Sequence, residues 1–305
     1  MSLVSIVTVN YNHNYITEEL LDSIRLHNTY SVIEIIVIDN GSSINPVPNW
    51  EIIYPEVRFI RSDTNLGFAG GNNLGIKVAR GKFLFLINND TEFTKGIIEQ
   101  LISTMNHNAQ VGILSPKIRY FQKPEILQYV GFTEMNYYTA RNACIGQFEI
   151  DNQQYDSLTG KTGYAHGAAM FIRKAALEKV GLMAENFFLY YEEIDWCEKF
   201  KNAGFEIWVD LKALIYHKES ISVGEKSALK EYFMNRNRIL FIRKNANTLQ
   251  KTIFYAFFLL VVTPRNIITY IREKNFAYIS VLFKAIYWNL TNKVDSTYLG
   301  FPIKQ

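Results

Sequence analysis

The sequence predicts an α/β fold: a Rossmann-like, mainly parallel sheet with helices on both faces, followed by a C-terminal helical segment. Three observations predict it. The runs LVSIVTV (3–9), IEIIVI (33–38) and FLFLI (83–87) are almost wholly apolar, as strands buried on both faces of a parallel sheet must be. They alternate with segments whose apolar residues recur at helical spacing. Each run also stops in a polar cluster, Asn10–Asn12, Asp39–Ser42 and Asn88–Asp90, at the carboxyl ends of the strands where such sheets bind ligands.

The elements follow in order. After the first strand a loop starts at Asn10, and Ile16, Leu20, Leu21 and Ile24 mark one face of a helix. The second strand ends in Asp39-Asn40-Gly41-Ser42, and a third, VRFIR (57–61), leads into the glycine-rich stretch NLGFAGGNNLGI (65–76). A short helix is expected to reach Arg80 and to end at Gly81, before FLFLI. Thr94 is expected to cap a helix that carries Ile97, Ile98, Leu101, Ile102 and Met105 on one side. From about 115 to 165 the periodicity weakens, and irregular strands and loops are expected. HGAAMFIRK (166–174) reads as a buried strand running into a helix that Gly181 ends. FFLYYEEIDWCEKFKNAG (187–204) reads as a loop and then a helix closed by Gly204, and FEIWVDLKALIYH (205–217) as a further strand. From 226 onward the pattern is helical and basic. The chain is therefore divided into a first domain, 1–240, and a basic, aromatic segment, 241–305.

Composition narrows the class. At 305 residues, 48% of them hydrophobic, the chain can bury a large core. Its two cysteines, Cys144 and Cys197, make neither a disulfide framework nor a zinc site and suit a reducing cytoplasm. The N-terminus, MSLVSIVTVNYN, lacks a basic leader and a small-residue cleavage site, so no secretory signal is expected. The net charge of +3 hides an asymmetry: residues 1–225 hold 19 Lys/Arg and 26 Asp/Glu, whereas residues 226–305 hold 13 and 3. A basic tail on an acidic body suggests a docking surface for something anionic. The tail is apolar enough to prefer phospholipid to nucleic acid. IFYAFFLLVV (253–262), stopped by Thr263-Pro264-Arg265, falls short of the ~20 apolar residues a bilayer span needs. NFAYISVLFKAIYWNL (275–290) contains Lys284, so interfacial helices are expected. Packing on the first domain or on a second subunit is the alternative.

Several clusters carry chemistry. Asp90, at the end of a buried strand and beside two amides, suits a divalent cation that bridges phosphate oxygens, since Mg²⁺ prefers one or two carboxylates plus phosphate and water; a plain helix cap is the bland alternative. The glycines of 65–76 could cradle phosphates, or simply form a turn. The stretch is neither a dinucleotide fingerprint nor a P-loop. Glu192, Glu193 and Asp195 begin a helix, where acids complement the macrodipole. Flanked by Phe187, Phe188, Tyr190, Tyr191 and Trp196, one of them could equally be a general base beside a sugar-stacking wall. His166 and His217 are each structural or metal-completing.

Taken together these motifs resemble glycosyltransferase family 2, inverting enzymes of the GT-A fold, in order over roughly residues 3–245. SIVTVNYN resembles the family's first strand, which implies nucleotide-sugar contacts at Val9, Asn10 and Tyr11. IIVIDNGSS is similar to the second, and the resemblance implies that Asp39 reads the base or ribose. NLGFAGGNNLGI is similar to the corresponding stretch of the rhamnosyl- and galactofuranosyltransferase-like branch, which implies donor contacts at Asn65, Gly67 and Asn73. INND matches the family's metal motif with Asn88 in place of its first acid, which implies Asp90 as ligand of Mg²⁺ or Mn²⁺, with Asn88 and Asn89 beside the donor and His217 completing the site. GAAMFIRK resembles the acceptor-side motif, which implies His166, Gly167, Tyr191 and Trp196 on the acceptor side. FFLYYEEIDWCEKFKNAGF resembles the segment with the catalytic base, at Glu193 or Glu192, with Asp195 nearby. The implied function is transfer from dTDP-rhamnose or a UDP-sugar to a saccharide or a polyprenyl-diphosphate-linked acceptor in surface polysaccharide (O-antigen-type) biosynthesis, at the inner face of the cytoplasmic membrane. The alternatives are a non-catalytic nucleotide-sugar-binding relative and a nucleotidyltransferase. The latter carry a basic glycine-rich loop after the first strand, which VNYNHNY lacks.

Overall fold

The computed structural model describes residues 1–219 and 227–303. Its strands are β1 (Val4–Asn10), β2 (Ile33–Asn40), β3 (Val57–Ser62), β4 (Phe83–Ile87), β5 (Thr91–Glu92), β6 (Val111–Tyr120), β7 (Leu127–Tyr129), β8 (Gly160–Lys161), β9 (Ala169–Arg173) and β10 (Glu206–His217). Its α-helices are α1 (Asn14–His27), α2 (Val47–Ile53), α3 (Gly67–Val78), α4 (Ile97–His107), α5 (Lys174–Val180), α6 (Glu192–Asn202), α7 (Ala228–Asn245), α8 (Thr248–Phe257), α9 (Thr263–Arg272) and α10 (Ala277–Thr291).

The sheet runs β3-β2-β1-β4-β9-β6-β10-β5. It is parallel from β3 to β4, and β9 enters antiparallel between β4 and β6. β4 sits at the centre with all five residues buried. The two-residue period of a strand splits them: Phe83, Phe85 and Ile87 join the core under α1 and α4, while Leu84 and Leu86 join the core under α3, α6 and α7. The helical faces behave as their spacing predicts. α1 buries Leu20, Leu21 and Ile24, and α4 buries Ile97, Ile98, Leu101 and Met105.

Four expectations are corrected. The start of the stretch from about 115, expected as irregular strands and loops, belongs to a long interior strand; β6 carries Ser115 and Lys117 inside it, polar residues that broke its apolar pattern and bond to the Ala169 carbonyl and to Asp151 and Asp156. Thr94 does not cap α4. Its hydroxyl donates to the Leu214 carbonyl, and the helix begins after Gly96, in the left-handed region at φ 78°. Thr263-Pro264-Arg265 does not stop the C-terminal helix. α8, a π-helical turn over Phe258–Val262 and α9 form one continuous helix of 25 residues, Thr248–Arg272, in which an 18-residue window has a mean hydropathy of 1.5, so its length and composition match a membrane span. A π-turn in front of Pro264 widens the helix where the ring needs room and an N–H is missing. The 240/241 division, finally, falls inside α7, which is continuous from Ala228 to Asn245.

The glycine-rich stretch is also not a loop. Gly70, Gly71 and Gly75 lie within α3. A Cβ on Gly75 would stand 2.3 Å from Val7 Cγ1, and one on Gly71 2.8 Å from Val9 Cγ1, so these glycines let α3 lie directly on β1. Gly75→Ala is therefore expected to destabilise the fold by about 1–3 kcal/mol through overpacking, measured by urea unfolding, and Val7→Ala in the same chain should recover part of the loss. If Gly75→Ala left stability intact, the close-packing account would fail.

Candidate active site

The site forms where β1, β2, β4 and β10 end. The β4–β9 register sets Ile87 opposite Ala169, so His166, Gly167 and Ala168 reach the end of β4, where the Asn88 N–H donates to the Ala168 carbonyl at 3.0 Å. β5 turns back from β4 and pairs with β10, placing His217 opposite Thr91. That two-residue strand delivers His217 to Asp90, with Nε2 and Oδ1 3.1 Å apart.

Two cavities meet at Asp90. One, of about 310 Å³, is lined by Val9, Tyr11, Asn40, Asn65, Gly67, Phe68, Asn88, Asn89 and Asp90. The other, of about 400 Å³, is lined by Asn88, Asp90, Gln128, His166, Gly167, Glu192, Glu193 and His217. Asp90 Oδ1, His217 Nε2, Glu192 Oε2 and the Tyr164 hydroxyl are all buried without a hydrogen-bond partner, and all four residues line this second cavity. Buried polar atoms are rarely left unpaired; four around one space mark a site shaped for a polar ligand.

Asp90 and His217 fit a divalent cation. His217 Nδ1 donates to the Gln128 side-chain oxygen at 2.8 Å, which fixes the ring with Nε2 turned toward Asp90. Among the described residues no cluster of three or more His, Cys, Asp or Glu side chains is built for metal. Two protein ligands, with the rest of the shell supplied by phosphate and water, is the arrangement hard cations accept. Burial and the adjacent His217 push the His166 imidazole down to about 3, so it is neutral, and its Nδ1 accepts the Ala168 N–H at 3.1 Å.

Glu192 and Glu193 open α6. Burial, with the Glu193 charge added to it, holds the Glu192 carboxyl well above the usual carboxylate range; burial also raises Glu193. The loop in front of them is strained: Phe188, Tyr190 and Tyr191 have φ of 65°, 70° and 74°, a region that bulky side chains avoid. It is clamped from α7. The Asn237 amide donates to the carbonyls of Phe187, Leu189 and Tyr190, each at 2.8 Å, and the buried Arg236 donates to that of Asn186 at 2.7 Å. From the other side Gly67, at φ 71°, packs on the Phe188 carbonyl, where a Cβ would come within 2.2 Å, and the Phe68 N–H donates to the same oxygen at 2.8 Å.

The sequence-predicted residues divide accordingly. Val9, Tyr11, Asn65, Gly67, Asn88, Asn89, Asp90, His166, Gly167, Glu192, Glu193 and His217 line the two joined cavities. Six do not. Asp39 is fully buried, its carboxylate held by Arg61 and by the Asn10 amide at 2.9 Å; the neighbouring Asn40 lines the cavity in its place. Asn10 is consumed in bonds to Asn14, Asp39, Ser42 and Thr17. Asn73 clamps Met183 and Glu185. Asp195 is buried against Lys244 at 2.8 Å and Asn245 at 2.9 Å, tying α6 to α7. Trp196 is a core residue whose indole N–H donates to the Gly181 carbonyl. Tyr191 faces a separate cavity beside α7. Gln128 was missed: a single amide in an aperiodic stretch carries no signal until β7 brings it to His217.

Comparison with known proteins agrees with this architecture. Residues 5–181 match the family model described as "Glycosyl transferase family 2". The low-salt glycan biosynthesis hexosyltransferase Agl10 of Haloferax volcanii is 25% identical over 93% of this chain and 90% of that protein. The N-acetylglucosaminyl-diphospho-decaprenol L-rhamnosyltransferase of Mycobacterium tuberculosis is 23% identical over 71% of this chain and 76% of that protein. Among solved structures, the mannosyltransferase PcManGT of Pyrobaculum calidifontis, in complex with GDP-Man and Mn²⁺, superposes with a TM-score of 0.57 at 13% identity over 95% of this chain and 87% of that one. The fold is that of the GT-A glycosyltransferases.

The Asp90–His217 pair yields a measurement that needs no substrate. Mn²⁺ titrated into the full chain and followed by electron paramagnetic resonance should bind, and Asp90→Asn should abolish binding. Gln128→Leu, which removes the partner that orients His217, should weaken binding about 10–100-fold. Equal affinity of all three proteins would overturn the cation assignment.

Proposed function

The chain belongs to glycosyl transferase family 2, and from that membership we propose that it is an inverting, metal-dependent hexosyltransferase. The donor would be a nucleotide-diphosphate sugar, dTDP-rhamnose or a UDP-sugar, and the acceptor a saccharide or lipid-linked saccharide of a surface polysaccharide. The observation that carries this reading is the position of Asp90, on the border between the cavity behind Asn65 and Gly67 and the cavity that holds Glu192 and Glu193. The rhamnosyl- and hexosyltransferase relatives support the donor class.

In this reading the chain's own groups divide the work. Tyr11, Asn65, Asn88 and Asn89 receive the nucleotide side of the donor. Asp90 and His217 would hold Mg²⁺ or Mn²⁺, with Gln128 fixing the imidazole. Bound there, the cation supplies positive charge against the departing diphosphate. Glu193 takes the acceptor hydroxyl's proton as the sugar's bond to the diphosphate breaks and its bond to the acceptor oxygen forms. Glu192, raised by burial and by the charge of Glu193 beside it, is the less suited of the two to act as the base.

The C-terminal helices support peripheral attachment to the inner face of the cytoplasmic membrane. The helix from 248 to 272 buries Phe254, Phe258, Val262 and Tyr270 and exposes Ile253, Leu260, Val261, Ile268 and Ile271. One face therefore holds it against the body, which fits lying on a bilayer better than crossing one. The exposed face sits in a tail rich in Lys and Arg, and such tails favour anionic lipid. The full chain should float with anionic liposomes at low salt and less at high salt; equal recovery with neutral and anionic vesicles would remove the electrostatic account.

The functional test is a donor screen by mass spectrometry with Mn²⁺. Transfer or donor hydrolysis should appear with one nucleotide sugar, and Glu193→Gln should lower it ~10²–10⁴-fold. Since burial raises the Glu193 pKa, the base is lost as pH falls. The acid limb of kcat/KM should therefore lie above the ordinary glutamate value of about 4.3 and vanish in Glu193→Gln. Turnover of no nucleotide sugar at all would overturn the reading.

A further inference from the structure

A third cavity, of about 590 Å³, lies between the turn at 140–142, α7 and α9. It is lined by four cations, Arg141, Lys230, Arg238 and Arg265, against two carboxylates, Glu231 and Glu273. Glu231 is already engaged by the Tyr270 hydroxyl and by the Asn235 amide at 2.7 Å. Arg238 donates through Nη2 to the Thr139 carbonyl, but its Nε is shut off from solvent without a partner. Burial, with the charges of Arg141 and Arg265 added to it, holds Arg238 below the usual arginine pKa. Three arginines thus line one cavity, with Arg265 donating to the Asn266 side chain at 3.0 Å; their like charges repel, and one N–H of Arg238 is stranded.

The surroundings say what could relieve this. Asn142 lines both this cavity and the one holding Glu193, and Tyr191, on the cavity wall, directly precedes Glu192. On α9, Arg265 and Thr269 line the cavity, as does Glu273 just past its end, while Ile268 and Ile271 of the same helix are about half exposed.

We propose that this cavity binds the phosphoryl groups of an anionic acceptor, the guanidinia of Arg141, Arg238 and Arg265 clasping a phosphate or diphosphate while its sugar enters the Glu193 cavity. Planar guanidinium forks suit phosphate oxygens, and an apolar chain on that phosphate has the exposed side of α9 beside it. The inference rests on the glycosyltransferase reading for the word acceptor; the anion site itself does not.

The test uses the full chain in EDTA, so that no metal-bridged binding at Asp90 contributes. Inorganic pyrophosphate, farnesyl diphosphate and farnesol are titrated calorimetrically into the wild type and into Arg141→Gln/Arg265→Gln, two exposed positions whose change should leave the thermal melt intact. Pyrophosphate and farnesyl diphosphate should bind, and the double variant should weaken both at least about tenfold, the scale of a lost charge-assisted hydrogen bond. Tighter binding of farnesyl diphosphate than pyrophosphate supports a lipid-linked source, and equal binding a soluble sugar phosphate. Either way the phosphoryl site stands. Absence of binding, binding indifferent to the double substitution, or farnesol binding as well as farnesyl diphosphate overturns it. Donor hydrolysis by the wild type with Mn²⁺, run in parallel, separates the failures: if it persists, only the cavity assignment falls, and if it is missing too, the enzymatic reading falls with it.

Discussion

The hold of Asn237 on the loop at 187–190 is the constraint on which the site depends. Three aromatic residues in the left-handed region cost of order 1–3 kcal/mol each and persist only because their surroundings fix them. One amide reaches three successive regions of that loop from α7, Arg236 holds its start, and Gly67 leaves room for it on the opposite side. The loop thereby joins the turn of the Asn65–Gly67 cavity, the first turn of α6 with its two glutamates, and the C-terminal helices. α7 is thus part of the machinery and not the start of an appendage, and Asp195, bonded to Lys244 and Asn245, secures the same joint one turn further along α6.

Charge accounts for the amide that stands at Asn88 in the INND stretch. Asn88 lines both cavities beside Asp90. A carboxylate there would add a further negative charge to a site that already holds Asp90, Glu192 and Glu193 in desolvated surroundings, and would push the glutamates further toward their neutral forms. In the proposed cation site the His217 imidazole would fill a ligand position without adding a carboxylate's charge. Its orientation comes from Gln128, so the hydrogen-bonding partner behind the ligand matters as much as the ligand.

The C-terminal segment combines two roles that composition alone kept apart. Its cations are not a uniformly solvated coat. Arg236 is fully buried and stacks over Trp288 at 4.0 Å, and Lys244 neutralises Asp195, so part of the positive charge holds the acidic body together. Lys230, Arg238 and Arg265 lie around the 590 Å³ cavity, and Lys251 and Arg272 lie on the 248–272 helix, where an anionic acceptor and an anionic surface would meet them.

The sequence by itself determined the alternating architecture, the buried strands and the strand-end position of Asp90, because period-2 and period-3.6 burial leave a local imprint that survives without neighbours. The order of its motifs was equally legible, and with it the family. What it did not determine was which polar residues are free. Asn10, Asp39, Asn73 and Asp195 look like ligands in a linear reading, yet tertiary contacts occupy all of them. The glycines of 65–76 look like a phosphate loop, yet all four lie in α3, where Gly71 and Gly75 press on β1 and Gly67, unlike the other three, lines the cavity. Gln128 and the cluster of Arg141, Arg238 and Arg265 come from segments far apart in the chain. Their meeting follows from strand register and helix packing, which set distances between residues that share no local pattern, and only the folded chain decides it.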